Sequence, residues 1–227
     1  MSIYYTDDKV TLHHGDCLEI TDWLDADVLV TDPPYGMAFQ SNQRRGGRLE
    51  RIAGDQDTAV RDAAVDLWRR GGDRPSLVFG RWSIAAPAGE RQRLIWWKEG
   101  NPGMGDLKLP WGPAHEEIHL SGTGWDVTQT GMLRAGSVIA TRGVRGGSSG
   151  EENRWGHPTP KPVGLLERLI EKCPPGVIAD PFAGSGATLV AASNLGRRAI
   201  GVELEERYCE VIAKRLSQGV LDFGSAS

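Results

Sequence analysis

Asp32-Pro33-Pro34-Tyr35 is the segment of this sequence whose residue types and spacing could most directly do chemistry. It follows an apolar, β-branched run at residues 26–31, ADVLVT, and proline cannot continue a central strand ladder. Asp32 is therefore expected at the carboxyl end of a buried strand, the place where open α/β sheets put their ligand sites. A carboxylate and a backbone carbonyl held there can accept both hydrogens of a planar amino group. Withdrawing those hydrogens from the ring plane makes the nitrogen more nucleophilic. The Asp32 carboxylate and the Pro33 carbonyl supply the two acceptors, and the Pro33-Pro34 step makes that carbonyl rigid. Tyr35 adds an aromatic face on which a base can stack. The plainer alternative is a strand-ending turn, which Asp-Pro often makes.

A second group of residues is suited to holding a nucleoside. Asp180-Pro181-Phe182-Ala183-Gly184-Ser185-Gly186 places a glycine turn between a short apolar strand and a helix. Such a turn lets a ligand approach the backbone and presents free N–H groups at the helix start. Glu203 follows about twenty residues later, at the end of the next strand, the position from which an acidic side chain bonds ribose hydroxyls. The third glycine of the dinucleotide fingerprint is absent, and no lysine is placed to grasp phosphate. NAD and ATP are therefore disfavoured, and another nucleoside-bearing cofactor is expected.

These residues need elements to position them. Strands are expected at residues 10–14, 26–31, 75–79, 94–97, 117–120, 177–179 and 198–202, from apolar and β-branched runs. Helical spacing is present at residues 58–70, 163–173, 187–195 and 205–218, and residues 17–24 read as one or two helical turns. The alternation implies an α/β fold with a mostly parallel sheet and helices on both faces. Trp96 and Trp97 are expected in the core. Residues 121–156 lack periodicity, as functional segments often do.

The chain of 227 residues is long enough for one α/β domain spanning 1–227. No apolar run approaches the roughly 20 residues of a membrane helix, and the N-terminus lacks the pattern of a secretory signal. Three cysteines without a C-x-x-C pair argue against a disulfide framework or a zinc site and fit a reducing, cytoplasmic setting. The formal net charge is -4, which as a whole does not suggest a nucleic-acid binder. The local distribution differs. Arg44, Arg45, Arg48 and Arg51 crowd residues 36–54, and Arg134, Arg142, Arg145 and Arg154 crowd residues 130–155. Both stretches read as basic loops on an acidic body, suited to a polyanion.

TDPPYG (31–36), HPTPKP (157–162), DPFAGSGAT (180–188) and GVELEERY (201–208), in that order, resemble the beta-class amino DNA methyltransferases, in which the target-base motif precedes the cofactor motif. The resemblance covers most of the chain and is weakest at residues 121–154. It implies a Rossmann-like sheet of the class I methyltransferase type with circularly permuted motif order, and S-adenosylmethionine as cofactor. Asp180, Phe182, Gly184, Ser185 and Gly186 would line its methionine part and Glu203 its ribose. Thr159 and Lys161 would meet its carboxylate, and Asp16 would border its adenine. Asp32, Pro33, Pro34 and Tyr35 would receive a base flipped out of duplex DNA. The DPPY form is more usual for adenine-N6 than for cytosine-N4 enzymes. Methyl transfer would be direct and in line, with no metal and with Cys17, Cys173 and Cys209 uninvolved. Residues 121–154 would form a short target-recognition segment. A homodimer is compatible with the resemblance, and RNA or a protein amide is the alternative substrate.

Overall fold

The computed structural model describes residues 3–35, 40–45, 48–51, 57–99, 108–126, 134–142 and 160–222. Among these residues, eleven strands and four α-helices follow in the order β1 (Ile3–Thr6), β2 (Val10–His14), β3 (Val28–Thr31), β4 (Gln40–Arg45), β5 (Arg48–Arg51), α1 (Ala59–Arg70), β6 (Ser76–Gly80), β7 (Glu90–Glu99), β8 (His115–Ser121), β9 (Val138–Arg142), α2 (Val163–Ile170), β10 (Ile178–Asp180), α3 (Ala187–Asn194), β11 (Ala199–Glu203) and α4 (Glu206–Asp222). Nine strands form one sheet in the order β1-β2-β11-β10-β3-β6-β8-β7-β9, and β4 pairs with β5 separately.

The central run β2-β11-β10-β3-β6 is parallel, as the apolar strands predict. β8 then turns the sheet, running antiparallel to both β6 and β7. The period-2 alternation of the strands divides the core into two layers. Val28, Val30, Leu77, Phe79 and Ile178 pack with Leu165, Leu169, Leu189 and Ile212 of α2, α3 and α4. Leu29, Val78 and Ala179 point the other way, onto Trp23 and onto Ala64, Val65 and Trp68 of α1. Trp23 and Trp68 stack with centroids 6.1 Å apart, and the Arg74 guanidinium lies 3.6 Å from the Trp68 ring centre. The sheet is thus covered by helices on both faces.

This topology puts the carboxyl ends of β2, β3, β6, β10 and β11 on one edge. Because β8 runs the other way, its start arrives at the same edge, with Glu117 opposite Gly80.

The structure departs from the sequence reading in several elements. Residues 17–24 give only a 3-10 turn at Asp22–Asp25, because the Asp16 carbonyl and carboxylate hold the backbone N–H groups of Ile20 and Leu18 in a tight turn. The arginine-rich stretch 36–54, read as a loop, contains the hairpin β4–β5, whose polar strands carry no apolar alternation to reveal them. Within the segment read as aperiodic, β9 pairs in parallel with β7 along an outer edge of the sheet. β1 was not expected. Trp96 is buried as expected, and its indole N–H donates to Thr141 Oγ1 at 2.7 Å. Trp97 is not in the core: it is 46% exposed, since alternation along β7 turns it to the opposite face.

Candidate active site

The strand that ends at Thr31 hands the chain to Asp32 and two prolines. A residue before proline is pushed toward extended backbone, so Asp32 and Pro33 continue outward from the strand. Tyr35 turns back and donates its hydroxyl to Asp32 Oδ1 at 2.5 Å. The ammonium of Lys161 donates to Asp32 Oδ2. Lys161 lies between Pro160 and Pro162, which fix its backbone just ahead of α2.

Lys161 is buried and has further partners. Its Nζ lies 3.3 Å from Glu116 Oε2 and 3.5 Å from the Tyr35 hydroxyl. Glu116, in β8, also accepts from Lys98 of β7. Two carboxylates and two ammonium groups therefore form one chain, Asp32–Lys161–Glu116–Lys98, along the edge of the sheet. Burial pushes the Asp32 carboxyl above the usual carboxylate range; the Lys161 charge pulls it down and Glu116 pushes it up. Burial also opposes ionisation of Glu116, but Lys161 and Lys98 outweigh it and leave that carboxyl below its usual value. Lys161 itself is raised: burial lowers it, and the charges of Asp32 and Glu116 more than compensate.

The other half of the site lies one strand away. β10 ends at Asp180, which is buried and accepts from Thr31 Oγ1 at 2.7 Å and from the Phe182 N–H at 3.2 Å. Burial pushes its carboxyl up to about 6. Gly184 and Gly186 both have positive φ, at 53° and 80°, which lets the turn fold under the start of α3. Ser185 between them is held by the Arg215 guanidinium, which donates to its carbonyl at 2.6 Å. Glu203, at the end of β11, is buried and accepts from Gly184 N at 2.7 Å and from Glu205 N at 2.8 Å. Burial outweighs those bonds and pushes its carboxyl up to about 7. Gly15 donates its N–H to the Glu203 carbonyl at 2.9 Å, which sets the exposed Asp16 beside this end of β11.

The fold thus brings Asp16, Asp32, Pro33, Pro34, Tyr35, Lys161, Asp180, Phe182, Gly184, Ser185, Gly186 and Glu203 to one sheet edge. Thr159 lies outside the described residues. Lys161, which the resemblance assigns to the cofactor carboxylate, is bonded within the chain to Asp32 and Glu116. Glu116, Lys98 and Thr31 are functional candidates that sequence reasoning missed. The one available signal for Glu116 was a pair of adjacent acidic residues, Glu116-Glu117, near the start of β8. Cys17, Cys173 and Cys209 are buried, and burial pushes each thiol up to about 12, which removes them as nucleophiles at neutral pH.

A family model described as DNA methylase, of the N6/N4 type, matches residues 96–215. The methylase YubD of Escherichia coli (strain K12) is 31% identical over 231 residues, covering 94% of this chain and 93% of that one. This chain belongs to the N6/N4 DNA methylase family.

Shorter stretches of the methylase are closer to other relatives. The type II methyltransferase M2.DpnII of Streptococcus pneumoniae is 50% identical over 62 residues, or 26% of this chain and 23% of that one. Among solved structures, the cytosine-N4-specific PvuII DNA methyltransferase superposes with a TM-score of 0.64 at 17% identity, covering 97% of this chain and 93% of that one. The M1.HpyAVI–SAM complex superposes with a TM-score of 0.62 at 19% identity, covering 91% and 98%. Both show the fold, the class I methyltransferase architecture expected from the motif order. Among the described residues, no helix is long and apolar enough to cross a membrane.

Proposed function

We propose that this methylase moves the methyl group of S-adenosylmethionine to the exocyclic amino group of a base in duplex DNA, with adenine N6 preferred over cytosine N4. One observation carries the reading. The hydrogen bond from Thr31 to Asp180 joins the end of β3, from which Asp32 and Pro33 continue, to the end of β10, from which the glycine turn continues.

The residues present fit that cofactor. Glu203 is tied to the turn by Gly184 and keeps lone pairs for ribose hydroxyls, while Asp180 and Asp32 surround the gap between the motifs with negative charge suited to a cation. When bound, the cofactor supplies an electrophilic methyl group on a sulfonium. The protein supplies position and charge. Asp32 and the Pro33 carbonyl accept the amino hydrogens, and Tyr35 offers its ring to the base. As the new N–C bond forms, positive charge grows on nitrogen beside the Asp32 carboxylate, which stabilises it and stands ready to take the departing proton. A base inside a duplex cannot reach this edge, so it must rotate out of the stack at a cost of a few kcal/mol. The adenine preference rests on the resemblance of the DPPY form. Residues 121–154, short as they are, are inferred to contribute to reading the DNA sequence.

The test is transfer of labelled methyl to duplex DNA, RNA and a mixed protein substrate in parallel, with the product DNA digested to nucleosides. Label in N6-methyl-2′-deoxyadenosine from DNA is expected. Label confined to RNA or protein would overturn the DNA reading, and N4-methylcytosine would replace adenine by cytosine.

A further inference from the structure

We propose that Lys161 and Glu116 form a charge control on Asp32, in which Lys161 keeps the Asp32 carboxylate ionised and turned toward the amino group while Glu116 offsets part of that cation's pull. The inference rests on the reading of Asp32 as the amino-group acceptor.

The geometry is specific. Each Asp32 oxygen has one donor already: the Tyr35 hydroxyl on Oδ1 and the Lys161 ammonium on Oδ2. A carboxylate has about four acceptor directions, so each oxygen keeps room for a hydrogen of the substrate. With both oxygens anchored, the carboxylate plane is fixed before substrate arrives. Lys161 is held in turn by Glu116 Oε2 at 3.3 Å and by the ring of Phe79, whose centre lies 5.2 Å away. Lys161 is 8% exposed, so its partners are not replaced freely by water.

The charges facing Asp32 come from each neighbouring element. Tyr35 lies on its own loop, Lys161 precedes α2, Glu116 comes from β8 and Asp180 from β10, while Lys98 of β7 reaches the group through Glu116. Lys161 is the one cation among these in direct contact with Asp32. Without it, Asp32 would share a buried edge with Glu116 and Asp180, its carboxyl would rise further, and it would lose acceptor strength for the amino hydrogens. Glu116 acts oppositely, since its negative charge raises the cost of ionising Asp32.

The two substitutions therefore carry opposite signs, whereas a general loosening of the site by either one would move the midpoint the same way. The experiment follows the Asp32 side-chain carboxyl by ¹³C NMR against pH in the full chain without cofactor, the resonance being assigned by its loss in Asp32→Asn. Wild type, Lys161→Met, Lys161→Arg and Glu116→Gln are compared. The midpoint is expected to rise by about one to three pH units in Lys161→Met, to fall in Glu116→Gln, and to stay near wild type in Lys161→Arg. The acidic limb of methyl transfer should move in the same order, and calorimetry should show S-adenosylmethionine binding little changed in Lys161→Arg and Glu116→Gln. Midpoints that do not move, or that move the same way in Lys161→Met and Glu116→Gln, would overturn the proposal. So would loss of cofactor binding in Lys161→Met with an unmoved Asp32 midpoint, which would return Lys161 to the cofactor carboxylate. Should Lys161→Met fail to fold, the fall expected in Glu116→Gln decides alone. Opposite shifts in a wild-type background that methylates no nucleic acid would leave the charge control standing and sink the proposed activity.

Discussion

Thr31 Oγ1 donates to Asp180 Oδ1 across 2.7 Å, joining the ends of two adjacent parallel strands whose residues are 149 positions apart. The bond fixes the spacing between the two halves of the site. Thr31→Val keeps the shape and removes the donor. It leaves a buried carboxylate short of a partner, a loss of about 1–3 kcal/mol in chemical unfolding. Cofactor affinity, measured by calorimetry, should weaken as well. Wild-type stability and affinity in this variant would show that the strands are aligned by other contacts.

Asp32→Asn keeps the volume of the acceptor and removes its charge. Methyl transfer is expected to fall by about 10²–10³-fold or more, the scale on which a single placed electrostatic group acts. Calorimetry should show cofactor binding largely intact. Near wild-type turnover on DNA would remove Asp32 from the mechanism.

Gly186 takes the N-cap of α3 with φ at +80°, and a Cβ there would meet Ile212 Cγ1 at 2.7 Å. Gly196 has φ at +69° with nothing within 4 Å of an added Cβ. Gly186→Ala therefore combines backbone strain with overpacking, and Gly196→Ala carries strain alone. Thermal unfolding should show the larger loss in Gly186→Ala, by about 1–3 kcal/mol for the overpacking. Equal losses would mean that α3 and α4 shift apart without cost.

Glu203 gives a pH dependence of stability with a definite sign. Its carboxyl lies at about 7 in the folded chain against 4.5 as the ordinary value. In that window the folded state binds more protons than the unfolded one. The contribution is fully present below 4.5 and is lost as pH rises through about 7. Glu203→Gln stays neutral throughout. The wild type should thus lose stability relative to Glu203→Gln between those limits, by on the order of 3 kcal/mol. Thermal melts of both proteins across this range test it, and parallel curves would contradict it. Asp180 titrates with the same sign but is common to both proteins, so the difference isolates Glu203.

The parts of the fold legible in the sequence are those where burial dictates composition. Residues 26–31 read as a strand because β3 is buried on both faces, and Pro33 marks where it must stop. Gly184 and Gly186 were legible because a positive φ selects for glycine. β1, β4, β5 and β9 pair by backbone hydrogen bonds along an outer edge or in a hairpin, and such pairing leaves no apolar alternation to read. Trp97 was placed wrongly because its neighbour Trp96 is buried and a strand alternates its faces. Lys161 is legible as a buried cation suited to a carboxylate, and within the chain it is bonded to Asp32 and Glu116. No spacing rule links Glu116 to Lys161. The antiparallel turn of the sheet at β8 brings them together.

The parallel pairing of β3 with β10, and of β11 with β2, has a consequence for synthesis. The strand that leads into Asp32 leaves the ribosome early, yet its neighbour β10 on the sheet is not made until residue 178. Contacts of such long range form late and slow folding. Until then the edge of β3 has no β10 to meet, and the gap between the two motifs does not exist. A nascent or truncated chain that stops before β10 therefore lacks both the strand that pairs with β3 and the Asp180 carboxylate that Thr31 bonds. The order of the motifs makes their meeting an event that waits for β10.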